Sequence, residues 1–160
     1  MTKQITKKSA PRIIALNKKV FYDYHIDKQR LKAGLVLEGW EVKSIRFGRV
    51  QLRDTYVIFK AGEAWLIGAY LSPLPNVANY IKPDPQRFRK LLLNKREISK
   101  LFGAIQKDGF TVVPLNLHWH KHHVKVEIAL AKGKKTHDKR ETIKRREWER
   151  EKHRVLKYYG

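Results

Sequence analysis

The sequence predicts a mainly β domain with flanking helices: an antiparallel, OB-like Greek-key barrel of about six strands, followed by a charged C-terminal tail. Three observations carry this. Runs rich in Val, Ile, Phe, Tyr and Trp recur between residues 20 and 71 and again between 110 and 130, separated by glycine-bearing turns. A single stretch after Asn94 has the apolar spacing of a helix. The segment Ala131 to Arg140, with four lysines, separates patterned sequence from a tail dominated by charge. A two-sheet sandwich is the alternative architecture.

Taken in order, residues 1–18 read as a solvated basic arm, broken by Pro11, with the short apolar patch Ile13 to Leu16. Val20 to Ile26 is aromatic and β-branched and predicts a strand, where Tyr22 and Tyr24 serve either packing or base stacking. Asp27 is placed to cap a helical turn through Lys32, stopped by Gly34. Leu35 to Ile45 reads as a second strand, bent at its glycines, with Val36, Glu38, Trp40 and Val42 alternating on one side. Gln51 to Phe59 and Glu63 to Leu71 form a hairpin across Lys60-Ala61-Gly62. Ser72 to Arg89, with four prolines, reads as a long surface loop. Asn94 and Glu97 then form a capping box, Ile98, Leu101, Phe102 and Ile105 share one helical face, and Gly109 ends the helix. Phe110 to Trp119 and Val124 to Leu130 pair across a turn at His120 to His123. Asp138 to Tyr159 lacks Gly and Pro, carries i, i+4 charge pairs such as Glu141 and Arg145, and is expected to be disordered alone and helical on RNA. The division expected is 1–18 for the basic arm, 19–132 for the barrel and 133–160 for a basic hinge and tail that is disordered when free.

Thirty-six Lys and Arg against 15 Asp and Glu give a formal charge of +21 over 160 residues. Such an excess repels itself and seeks polyphosphate. Both termini share it: residues 1 to 19 hold six basic side chains and no acid, and residues 131 to 160 hold twelve basic against five acidic. There is no cysteine, so disulfides and thiolate metal sites are excluded. Met1 to Ala10 has no apolar core of signal-peptide length, and the protein is expected to be soluble and intracellular.

Constellations for catalysis are weak. Glu41-Val42-Lys43 is a Glu-x-Lys of the kind metal-dependent nucleases use, with Asp23 or Asp27 as a second carboxylate, but a solvated strand face gives the same triple. His118, His120, His122 and His123 are dense enough for a metal site, yet no acid or thiol accompanies them and a hairpin tip is the plainer reading. Phosphate-loop and dinucleotide glycine patterns are absent. What remains is a basic surface interleaved with aromatics: Lys18, Lys19 and Tyr22, then Trp40 and Lys43, then Arg87, Arg89 and Lys90, then Lys125, Lys132, Lys134 and Lys135. Cations attract phosphate regardless of sequence and aromatics stack on unpaired bases, although Trp40 also suits a core position.

Gly34 to Ser44 (GLVLEGWEVKS), Arg89 to Glu97 (RKLLLNKRE) and Ala131 to Arg140 (AKGKKTHDKR) together resemble the SsrA-binding protein family, also called small protein B, from about Asn17 to the C-terminus. The resemblance implies a bacterial cytoplasmic factor of trans-translation with an OB-like barrel and no enzymatic activity or cofactor. Its partners would be the tRNA-like domain of transfer-messenger RNA (tmRNA), the stalled ribosome at its decoding centre and mRNA channel, and elongation factor Tu through the aminoacylated RNA. By motif, RNA contact is implied for Lys18, Trp40, Glu41, Leu92, Asn94, Lys125, Lys132, Gly133, Lys134 and Lys135, to which the charge pattern adds Lys19 and Lys43. Ribosome contact is implied for Tyr22, Asp138, Lys139, Arg140, Ile143, Lys144, Arg146, Trp148, Val155, Leu156 and Lys157, with the tail becoming helical in the channel. Lys32 departs from the pattern, standing where relatives commonly carry an acid. A general RNA-coating protein and a nuclease using Glu41 and Lys43 are the competing functional readings.

Overall fold

The computed structural model describes residues 12–75 and 81–159, the side chains of 136–138 and 153–159 lying outside that description. The chain enters the sheet at once. Strand β1 (Arg12–Leu16) leads into a short helix α1 (Lys18–Asp23), and β2 (Tyr24–Leu35) follows as a long strand. Helix α2 (Gly39–Arg46) and the two-residue strand β3 (Val50–Gln51) precede the hairpin of β4 (Tyr56–Lys60) and β5 (Glu63–Ile67). After β6 (Tyr70–Leu71) and a proline-rich connection come β7 (Arg89–Leu92) and helix α3 (Lys95–Asp108). The hairpin of β8 (Thr111–His120) and β9 (His123–Gly133) ends the barrel, and helix α4 (Thr136–Tyr159) forms the tail.

The strand order β8, β4, β5, β7, β2, β9 returns to β8, and every pairing in the ring is antiparallel. Closure removes the open edges that would otherwise invite pairing with another chain. Six strands therefore close the OB-like barrel, the number expected, but β2 and β7 stand in place of two of the strands the sequence suggests. Among the described residues there are nine strands in all: β1 is added outside the ring on β8, and β3 and β6 form a separate two-stranded ribbon. Alternate residues of the ring point inward, and Ala33, Leu66, Val112, Leu117, Val126 and Ile128 are almost completely covered. Each large aliphatic side chain so buried contributes roughly 1.5–3 kcal/mol before chain entropy is set against it.

Helix α3 packs on this core through Leu101, and Phe102 meets Phe59 edge-on at 6.5 Å. Its ends are as the sequence predicts: Asn94 Oδ1 accepts from the Glu97 N–H at 2.8 Å, Glu97 Oε1 accepts from the Asn94 N–H at 3.0 Å, and Gly109 adopts the left-handed conformation at φ 66°. The β4–β5 turn is tighter than the three residues expected. Ala61 and Gly62 alone make it, both at positive φ, as a two-residue hairpin connection requires.

Four local expectations are corrected. The strand expected over Val20 to Ile26 is helix α1 as far as Asp23, because Asn17 is pinned beneath β8, its N–H on Leu115 O and its side-chain amide on Pro114 O, both at 2.9 Å. The helical turn expected from Asp27 to Lys32 is instead the middle of β2, whose register slips between Ile26 and Arg30; Asp27 Oδ1 accepts from the Gln29 N–H at 3.3 Å in that bulge. The strand expected over Leu35 to Ile45 is mostly α2, whose covered residues Trp40, Glu41, Ser44 and Ile45 recur with the helical and not the strand period. Finally, Arg12 to Leu16 is sheet, so the ordered body begins before the boundary placed at residue 18. No described helix is long and apolar enough to cross a membrane.

Candidate nucleic-acid interface

The site is anchored by a carboxylate with no exposed surface. Glu41 lies on the covered face of α2, and its Oε1 accepts from the Glu38 N–H at 2.7 Å, the reach-back bond of a capping box. The same carboxylate receives Arg87 on Oε1 and Arg89 on Oε2. Arg89 is itself only 1% exposed, and its remaining donors go to Ala69 O at 2.9 Å and Pro85 O at 3.1 Å. Burial pulls the Arg89 guanidinium below its usual value, while the hydrogen bond and charge of Glu41 oppose that. Arg87 also reaches Val36 O at 3.3 Å and lies 3.4 Å from Glu38 Oε1, and Glu38 Oε2 accepts from Trp40 Nε1 at 2.7 Å. One helix, one loop and the start of β7 are thereby locked to the end of β2.

Beside this lock, Leu92, Gly34 and Lys125 stand in register across β7, β2 and β9. Leu92 is 57% exposed, an unusual state for leucine on a sheet, and a Cβ on Gly34 would meet its Cδ1 at 3.2 Å. A bare glycine between a leucine and a lysine leaves a shallow apolar trough with a cation on its rim. Asn94 lies two residues beyond Leu92; its cap uses Oδ1 and not its amide nitrogen as a donor. Lys43 is exposed on α2, away from Glu41, and like Lys18 and Lys125 it makes no ion pair among the described residues.

A second basic cluster lies at the far end of β9, roughly 25 Å along the strand from Lys125. Lys132 pairs with His25 in the ladder and places its ammonium 4.6 Å over the Phe110 ring. Gly133 has open space where a Cβ would stand. Lys134 turns back into the protein, donating to Phe21 O at 3.3 Å and Thr142 Oγ1 at 2.8 Å. Lys19 is engaged by Asp54 at 3.3 Å and Asp23 at 3.9 Å. On α4, Lys139, Arg140, Ile143, Lys144, Arg146 and Trp148 are described; Lys139 lies 5.6 Å from the centre of the Tyr22 ring, and Trp148 is 57% exposed with Lys152 over it at 4.0 Å. The side chains of Asp138, Val155, Leu156 and Lys157 lie outside the described residues.

Three expected contacts change meaning. Trp40, 6% exposed, and Glu41 are built into the core side of α2, so neither presents a surface to a base; Arg89 likewise belongs to the lock and not to the basic surface. The nuclease constellation is not assembled, since Glu41 is neutralised by two guanidiniums and Lys43 projects from a different side of the helix. The histidines divide: His118 is 1% exposed with Nδ1 2.9 Å from Asn116 Oδ1, whereas His120, His122 and His123 are exposed around the turn, and among the described residues no group of three or more His, Cys, Asp or Glu is arranged to hold a metal. Exposed Phe47, between Arg46 and Gly48, and Phe88, next to Arg87, do not figure among the residues expected from sequence, although an aromatic beside arginine is the signal that marks them.

The model of the SmpB protein family matches residues 14–158. The chain belongs to that family. The SsrA-binding protein of Coxiella burnetii (strain Dugway 5J108-111) is 81% identical over 160 residues, covering all of both chains, and that of Alkalilimnicola ehrlichii is 53% identical over 152 residues, 95% of this chain and 94% of its own. A solved chain from work described as "tmRNA-SmpB: a journey to the center of the bacterial ribosome" superposes with a TM-score of 0.62 at 37% identity, over 76% of this chain and 85% of that one. The matched residues 14–158 take in the Glu41 lock, the Leu92–Gly34–Lys125 row and the junction of β9 with α4.

Proposed function

We propose that this chain is a non-enzymatic, cytoplasmic adaptor of trans-translation. Its barrel binds the tRNA-like domain of tmRNA and its tail enters the vacant mRNA channel of a stalled ribosome. The observation that carries the reading is identity of 81% along the whole length of a protein named for binding SsrA RNA. Physically, the trough of Leu92 and Gly34 offers apolar contact to a ribose or base, the amide of Asn94 offers a donor, and Lys18, Lys43, Lys125 and Lys132 offer phosphate contacts around them. Recognition is of folded RNA shape, because few of these groups read a base edge. Glu41 acts from beneath by holding Arg87 and α2 in place, and Trp40 packs the same helix. Lys32 lies opposite Glu127 in the β2–β9 ladder and joins the basic surface as a phosphate contact.

Tyr22, Asp138, Lys139, Arg140 and the later tail residues are assigned to the ribosome, where α4 lies in the channel as a helix. Elongation factor Tu joins the complex through the aminoacylated RNA. A competition gel shift at physiological salt tests the reading: tmRNA is expected to resist a large excess of elongator tRNA and bulk RNA. Equal competition by all three, with a steep common salt dependence, would leave only a general RNA-coating protein.

A further inference from the structure

The root of α4 is tied to the barrel by one acid that neither the SmpB motifs nor the charge pattern assigns. Asp23 ends α1, where the negative end of a helix disfavours an acid, and no basic residue of α1 stands in its last turn to offset it. Its cations are Lys139 of α4, 3.4 Å from Oδ1, and Lys19 in the first turn of α1 itself, 3.9 Å from Oδ2. Its main-chain carbonyl accepts from the Lys134 N–H at 2.8 Å. The Lys134 ammonium then closes the circuit by donating both to Phe21 O on α1 and to Thr142 Oγ1 on α4. These contacts bridge the junction from both sides, with Lys134 before Thr136 and His137, and Lys139 and Thr142 after it.

We propose that Asp23 is a positioning residue that fixes the direction in which the tail leaves the barrel and holds Lys139 beside Tyr22, so that the aromatic and the first tail cations are presented as one unit. The inference rests on the proposed function and narrows it: free motion is confined to the turns beyond Thr142. Lys139 and Thr142, three residues apart, lie on one face of α4, the geometry needed for a single helix edge to meet α1. Asp23 and Lys139 are partly exposed, at 22% and 35%, so the tie is reversible and gives way to stronger RNA contacts.

The absence of cysteine allows clean double labelling, with Cys introduced at Lys60 beside the β4–β5 turn and at the exposed Arg140, on α4 before Thr142. Spin labels there should give a narrow distance distribution in the free parent protein, a broad one in Asp23→Lys, and a narrow one again in Asp23→Glu and in the charge swap D23K/K139D. In the unlabelled protein, Asp23→Lys should lower peptide tagging on stalled ribosomes about fivefold or more while tmRNA affinity stays within about twofold, the range expected of a partly exposed ion pair. A distribution already broad in the parent, or unaltered by Asp23→Lys, overturns the proposal. Failure of the parent to select tmRNA would instead sink the functional reading, while the distance distributions would still decide whether Asp23 orients the tail.

Discussion

Replacing Glu41 with Gln tests the lock most sharply, because the change is nearly isosteric, removes the charge and turns one of the two accepting oxygens into a donor. Two guanidiniums converge on this carboxylate, but they differ in what they can do when it is gone. Arg87 is 28% exposed and can turn its fork to water. Arg89, at 1%, cannot, and its other donors already hold Ala69 O and Pro85 O. The cost is therefore set by one buried, uncompensated guanidinium, about 3–5 kcal/mol for a broken buried pair. For a domain of this size that corresponds to a fall in melting temperature of about 10–20 °C. Urea unfolding followed by tryptophan fluorescence gives the free energy, and the joint replacement of Glu41 and Arg89 by Leu and Met should recover much of the loss, since paired removal leaves no orphan charge. A Glu41→Gln cost under about 1 kcal/mol, within the range of surface changes, would refute the claim that the Glu41–Arg89 pair locks α2 to β7.

Asn94→Ala should cost about 1 kcal/mol of stability through loss of the α3 cap, whereas Asn94→Ser keeps the cap and should lower only tmRNA affinity, measured by gel shift. Gly133→Ala should leave the melting temperature unchanged, because nothing lies within 4 Å of the added carbon, yet weaken tmRNA binding if RNA backbone lies against that position. His118 has its pKa lowered, first by burial and then by Lys32. The unfolded chain consequently binds the extra proton first, so stability should fall as pH drops below about 6.5 and level off once the folded value is passed. His118→Gln should flatten that part of a pH series of urea titrations.

The barrel was legible wherever neighbouring residues decide structure. The β4–β5 and β8–β9 hairpins announce themselves by alternating strands around short turns, and α3 by its capping box, its i, i+3, i+4 face and Gly109. The helices α1 and α2 were not, for two different reasons. In α1, aromatic and β-branched residues favour a strand, and a distant anchor, Asn17 on Pro114 and Leu115, overrides them. In α2, the alternation of Val36, Glu38, Trp40 and Val42 competes with a second pattern, Trp40, Glu41, Ser44 and Ile45, that has the helical period. The site divides in the same way. The exposed lysines and Leu92 follow from motif and charge, but the role of Glu41 depends on arginines 46 and 48 residues away, a proximity that only the closed barrel creates. Likewise, Lys134 and Lys139 look like free cations in the sequence and are joined through α1 in the fold.

The central claim is that barrel and tail divide the work between two RNAs. A chain ending before Asp138 keeps the barrel, the Leu92–Gly34–Lys125 row and Lys132, and loses nearly all of α4. Its affinity for tmRNA, measured beside peptide tagging on ribosomes stalled without a stop codon, should remain near that of the full chain while tagging is abolished. Equal loss of both activities would contradict the division, as would tagging that persists without the tail.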